Sequence, residues 1–208
     1  MATILCYGDS LTWGAAPQGG RFNHNQRWPE LLNDHLGSTH TVINFGLPGR
    51  TTVWEDPFRE GRNGSLSIQT TLEIFGPIDV IILMLGTNDL KHYFNVGAYE
   101  ASKGIEQIIH KIQAPSPHNF PTPKIFLVAP PNILSPKGDL ADMYQGAVEK
   151  SQELHQYYQR VASLHECVFF NSASIIQPSE LDGIHLDLLA NKQLSLALLP
   201  ILDQLIKC

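Results

Sequence analysis

The run Val80-Ile81-Ile82-Leu83-Met84-Leu85 offers no polar position to either face of an extended strand. Such a strand needs cover on both sides, which places it in the middle of a parallel sheet with helices above and below. Four shorter runs also lean toward strand: residues 3–7, 41–45, 124–129 and 167–170. Between them the apolar residues recur at helical spacing. Trp28, Leu31, Leu32 and Leu36 mark one helix, with Pro29 suited to its first turn and Gly37 to its end. Residues 65–75 suit a short helix, and Ala98, Ala101, Ile105, Ile108, Ile109 and Ile112 form a clear stripe. Val148, Leu154, Tyr158, Val161 and Leu164 predict one long helix over 143–165, and Leu189 to Leu205 a last one. Pro200 lies inside that last helix and should bend or split it. Five strands alternating with helices predict an α/β fold, a three-layer α/β/α sandwich around a five-stranded parallel sheet. No shift in composition marks a boundary, so a single domain over 1–208 is expected.

Composition narrows the partners. Fourteen Lys and Arg stand against twenty Asp and Glu, a formal charge of -6, with no basic block to follow a phosphate backbone, so no nucleic-acid partner is expected. Cys6, Cys167 and Cys208 are too few and scattered for a disulfide framework or a tetrahedral zinc cluster, and the first two fall in apparent core strands. The chain enters its first strand at once, without a basic and apolar leader, and holds no long apolar stretch for a membrane. A soluble, cytoplasmic protein is the expectation.

In a parallel sheet all strand ends lie on one side, so polar clusters far apart in sequence can meet there. Gly8-Asp9-Ser10-Leu11, Gly46-Leu47-Pro48-Gly49, Gly86-Thr87-Asn88-Asp89 and Asp182-Gly183-Ile184-His185 are four such clusters. Ser10 reads either as a nucleophile presented by flanking glycines or as a helix cap. A serine hydroxyl attacks only when a base takes its proton. His185 can be that base, and Asp182 can hold its other ring nitrogen; Asp187 is a rival orienter or a simple cap. The Ser10 amide, the Gly49 amide and the Asn88 side chain could donate to an oxyanion, although Gly49 and Asn88 also read as ordinary turn residues. The loop over 50–64 is long enough to be functional or tied down by contacts. Its Trp54 and Phe58, with Leu11 and Trp13 beside the serine, are candidates for a substrate pocket, and Trp13 could equally pack. His24 and His92 lack metal-ligand spacing with acids, so no metal and no cofactor are assigned.

These four blocks, in this order, resemble those of the SGNH, or GDSL, hydrolase superfamily, and the resemblance spans nearly the whole chain. It implies a flavodoxin-like SGNH hydrolase fold, with Ser10 as nucleophile, Asp182 and His185 completing a catalytic triad, and Ser10, Gly49 and Asn88 as the oxyanion hole. Residues 4–14, Arg50-Thr51-Thr52 with Asp56-Pro57, and Met84 to Asp89 are similar to the bacterial arylesterase and acyltransferase branch. That branch implies hydrolysis of small aryl or alkyl esters through an acyl-enzyme, with acyl transfer as a side activity, and a homo-oligomer; one relative is an octamer. Pro48-Gly49 stands where a strongly transferring relative resembles Ser-Ala, which points to ordinary hydrolysis. The alternatives are a carbohydrate O-deacetylase, an acyl thioesterase, or a noncatalytic binding protein on the same fold.

Overall fold

The computed structural model describes residues 1–207; Cys208 lies outside them. Five strands, β1 (Thr3–Gly8), β2 (Thr41–Gly46), β3 (Val80–Met84), β4 (Lys124–Ala129) and β5 (Val168–Asn171), form one parallel sheet in the order β2-β1-β3-β4-β5. As expected, β3 is central and buried along its whole length. Alternation divides each inner strand between two cores. Leu5, Tyr7, Ile81, Leu83 and Leu127 face α3 (Gly64–Phe75), α4 (Ala98–Gln113) and α6 (Ala147–Leu164). Ile4, Cys6, Val80, Ile82, Met84 and Phe126 face α2 (Trp28–Leu36) and α7 (Leu188–Lys207). The result is the three-layer α/β/α arrangement. Strand order reverses between β1 and β3, and the crevice that this reversal opens at their carboxyl ends is where such sheets hold ligands.

Three local expectations change. The long helix predicted over 143–165 is two helices, α5 (Asp139–Met143) and α6, separated by Tyr144 and by Gly146 at φ 72°. The break lets Tyr144 turn inward, where it is buried. Pro200 does not split α7: the helix runs through it, because Pro200 and Leu196, whose carbonyl loses its partner, both lie on the exposed side where water can satisfy it. Cys167 precedes β5 and is only partly buried, whereas Cys6 is in the core. None of the described helices is long and apolar enough to cross a membrane.

Between β1 and β2 the chain makes the short helix α1 (Ser10–Trp13), capped by Asp9, whose Oδ1 accepts the Leu11 amide at 2.9 Å, and closed by Gly14 at φ 91°. The cap is thus Asp9, which leaves the Ser10 hydroxyl uncommitted to the helix end. Trp28 locks this turn to α2 and α7: its indole donates to the Leu11 carbonyl at 3.1 Å and its amide to Asn191 Oδ1 at 3.1 Å. Room for α1 against the sheet comes from glycine. A Cβ on Gly46 would overlap the Trp13 amide nitrogen and lie 2.6 Å from its Cα. Backbone cannot yield as a flexible side chain can. Gly46→Ala should therefore cost about 3 kcal/mol in urea denaturation, against about 1 kcal/mol for Gly61→Ala, which meets open space and only the left-handed strain of φ +70°; equal losses would refute the close-packing account.

Candidate active site

Ser10, Asn88 and His185 reach one cleft at the carboxyl ends of the strands, a space of about 950 Å³. Ser10 opens α1 after β1, and Asn88 sits in the turn after β3. His185 arrives on the loop between β5 and α7, 175 residues after the serine in sequence. Its Nε2 lies 3.1 Å from Ser10 Oγ, and its Nδ1 lies 2.6 Å from Asp182 Oδ2. The three-residue spacing does two tasks. Asp182 Oδ1 accepts the amides of Ile184 and His185, each at 2.9 Å, which leaves Oδ2 for the ring. Gly183, at φ +79°, lies against Ser135, where a Cβ would meet the carbonyl oxygen at 2.5 Å, so the turn is pinned to the loop after β4. Asp187 instead caps α7, with Oδ1 accepting from the Ala190 amide at 2.7 Å.

Electrostatics fix the tautomer. Burial pulls the Asp182 carboxyl upward, but the hydrogen bonds from His185 and from the Ile184 and His185 amides outweigh it and hold the group below the ordinary carboxyl value. An ionised carboxylate only accepts, so Nδ1 carries the ring proton and Nε2 accepts from the Ser10 hydroxyl. Such an arrangement can pass the proton of a serine hydroxyl to an imidazole that a carboxylate holds in place.

Asn88 is held from three sides. Tyr144 donates to its Oδ1 at 3.0 Å, while its Nδ2 donates to Asp9 Oδ2 and to the Arg50 carbonyl, each at 3.2 Å. The reversed amide would set an oxygen against two acceptors, so the orientation is determined. Gly49 lines the cleft at φ +85°, beneath the Arg59 guanidinium. Arg50 next to it is buried, donates to the carbonyls of Gly8 at 2.8 Å and Phe45 at 2.5 Å, and stacks on Tyr7. It ties together the ends of β1 and β2. The long loop after β2 is anchored, with Asp56 accepting from Lys91 at 3.0 Å and from Tyr93 at 3.1 Å.

The four candidate pocket residues part company. Trp13 and Phe58 line the cleft. Leu11 does not: it belongs to the core on the α2 and α7 side, because α1 turns it inward beneath Trp28. Trp54 is also outside the lining; its carbonyl accepts from Thr51 Oγ1 at 2.5 Å, and its buried indole nitrogen has no acceptor among the described residues. Sequence reasoning passed over Tyr144 and gave Asp9 and Arg50 no role of their own. A glycine two residues after the tyrosine, in a diluted helical stripe, was the available sign of a helix break.

Two buried carboxylates lie behind the site. Asp89 accepts from the amide and hydroxyl of Thr52, and burial pushes its carboxyl from 3.8 up to about 7. Burial likewise pushes Asp9 up to about 6. A raised carboxyl binds its proton more tightly in the folded chain, so its contribution to stability is full below 3.8 and is lost as pH rises through the folded value. Asp182, held low, has the opposite sign and matters only in stronger acid. Asp89→Asn should therefore remove a decline of a few kcal/mol in unfolding free energy between about pH 4 and 7; parallel wild-type and variant curves over that range would exclude it.

Comparison with known proteins follows the same outline. Residues 6–190 match the GDSL-like Lipase/Acylhydrolase family. An aryl esterase of M. smegmatis is similar at 33% identity over 99% of this chain and 100% of that one, with a TM-score of 0.94. A carbohydrate acetylesterase family member from Sinorhizobium meliloti is similar at 36% identity over the whole of both chains, with a TM-score of 0.95. A lipolytic G-D-S-L family protein from Veillonella parvula, at 15% identity and a TM-score of 0.71, shares the fold. Comparison with curated proteins yields no match. The chain belongs to the GDSL-like lipase/acylhydrolase family, as a serine carboxylic ester hydrolase of its arylesterase- and acetylesterase-like branch.

Proposed function

We propose that Ser10 is the nucleophile, His185 its general base, and Asp182 the orienting anion, in the hydrolysis of small carboxylic esters. The observation that supports these roles best is the unbroken line from Ser10 Oγ through the imidazole to Asp182, at 3.1 and 2.6 Å. His185 Nε2 takes the hydroxyl proton as Oγ attacks the ester carbonyl. The same nitrogen returns the proton to the leaving alcohol or phenol, which breaks the ester bond and leaves an acyl group on Oγ. Water then repeats the sequence in reverse, with His185 again the base; an alcohol in its place gives acyl transfer. The negative oxygen is met by the amides of Ser10 and Gly49 and by Asn88. Asn88 exchanges one of its contacts at 3.2 Å, near the long limit for such bonds, for the developing charge.

Tyr144 serves this step as a positioning residue. Its hydroxyl donates to Asn88 Oδ1 and so fixes which way round the side-chain amide sits.

A second reading concerns the alcohol side of the ester. The cleft joins aromatic surfaces of Trp13 and Tyr93 to charged groups Arg59, Asp139 and Asp142, which suits a hydroxyl-rich leaving group such as an acetylated sugar. In the same proposal the chain is one domain over 1–208, works in a reducing cytoplasm that suits the free thiols of Cys6 and Cys167, and assembles as a homo-oligomer, up to an octamer. Phe58, 76% exposed at the cleft rim, is the kind of aromatic that a neighbouring subunit covers.

Ser10→Ala should lower turnover of a p-nitrophenyl acetate series by on the order of 10⁴-fold with an unchanged circular dichroism spectrum. A diethyl phosphate ester should add one diethylphosphoryl group to the wild type and none to the variant; wild-type turnover in Ser10→Ala would sink the assignment. Comparing acetylated sugars with aryl acetates on the same enzyme decides between the two leaving groups. Tyr144→Phe should reduce kcat roughly tenfold with little change in KM, and should have no further effect in an Asn88→Ala background. A purely structural role for Tyr144 predicts loss in both backgrounds.

A further inference from the structure

At the amino ends of the strands, the opposite end of the sheet from the cleft, α4 and the end of α6 bring together Glu106, His110 and His165. Glu106 and His110 are one helical turn apart, and so share a face of α4. His165 is the cap residue that ends α6, three residues before β5 begins. Its Nε2 lies 3.0 Å from Glu106 Oε1, and its ring stands nearly perpendicular to that of His110, with centroids 4.8 Å apart. One potential donor atom from each of the three residues lies within 4.8 Å of the other two.

We propose that this trio is a binding site for a divalent transition ion of the Zn²⁺ class. Two imidazoles and a carboxylate are the donor set that such ions favour, and the three leave a fourth coordination position open. Around a tetrahedral ion with bonds of about 2.1 Å the donors stand roughly 3.4 Å apart. The Glu106–His165 pair, at 3.0 Å, is close to that spacing already. The remaining adjustment falls on His110, which is exposed and free to swing inward. The other two ligands are braced: Lys103 donates to Glu106 Oε2 at 2.8 Å, leaving Oε1 toward the site, and Gln113 donates to the His165 carbonyl at 3.2 Å. Supports of this kind orient metal ligands. An ion here cross-links α4 to α6 and stabilises the fold by mass action. It lies at the amino ends of the strands, away from Ser10 and His185, and takes no part in the ester chemistry.

The sequence contains nine histidines, so the test must separate this trio from the rest. The 208-residue chain, freed of metal by chelation, is titrated with Zn²⁺ by calorimetry, with Co²⁺ by visible absorption, and with each ion in thermal unfolding. The expected result for wild type is one ion per chain, a four-coordinate Co²⁺ spectrum and a higher unfolding temperature. His110→Ala, a change at an exposed side chain, and Glu106→Gln should each bind at least tenfold more weakly and lose the thermal shift, while ester hydrolysis without added metal is unchanged. Lys103→Ala, which removes a brace and no ligand, should keep one ion per chain at reduced affinity. Equal affinity and stoichiometry in wild type and His110→Ala, or no metal-dependent thermal shift in wild type, would leave Glu106 and His165 as an ion pair only and overturn the proposal.

Discussion

Asp9 is a buried carboxylate with two oxygens and two separate duties. Oδ1 caps α1 and so sets the turn that carries Ser10, while Oδ2 receives the side-chain amide of Asn88 from the end of β3. The serine and the asparagine are therefore referenced to the same group, across the point where the strand order reverses. A carboxylate so deeply buried is costly to keep charged, which is why its proton affinity rises. The neighbouring Arg50 opposes that rise from its own buried position, and its donation to Gly8 and Phe45 fixes the strand ends from which both turns depart. Ser10, Asn88 and Gly49 hold their places because this small ionic assembly is inside the protein, where its hydrogen bonds face little competition from water.

Much of the fold was legible because the strands are short and apolar enough to admit one reading. Val80 to Met84 could lie only in the middle of a sheet, and the spacing of Ala98 to Ile112 could lie only on one helix face. The convergence of Ser10, Asn88 and His185 was admitted by parallel connection, since every strand then ends on the same side, and singled out by the family resemblance. What was hidden depended on side-chain direction. Leu11 follows the serine by one residue, yet one helical step of about 100° turns it into the core. Trp54 belongs to a loop whose path is set by tertiary contacts such as Asp56 with Lys91, which no local pattern encodes. Tyr144 looked like part of a helix until Gly146 interrupted it.

The same distinction explains why the second cluster escapes sequence reading. Glu106 and His110 show a ligand-like interval, but such pairs are common on exposed helices and carry little meaning alone. The third group, His165, is 59 residues from Glu106 and becomes adjacent only because α4 and α6 pack side by side on the sheet. The Ser10, Asp182 and His185 set differs in kind: each member sits in a compact motif at a strand end or in a turn, so topology allows the meeting and the resemblance of the motifs points to it.

The two ends of the sheet thus hold polar groups under opposite conditions. At the carboxyl ends the ionisable groups are sunk into the protein, and their altered proton affinities are tied to the geometry that presents a hydroxyl to an open cleft. Burial there makes each hydrogen bond strong and each loss expensive, which suits a site whose groups must not relax when charge develops on a bound ester. At the amino ends the polar trio is partly open, and His110 can move without disturbing the core that Ile105 and Ile109 build beneath it. A site that needs fixed dipoles belongs at the first end, and one that must admit and release an ion belongs at the second. The central strand β3, covered on both sides, separates the two environments and lets each be tuned without repacking the other.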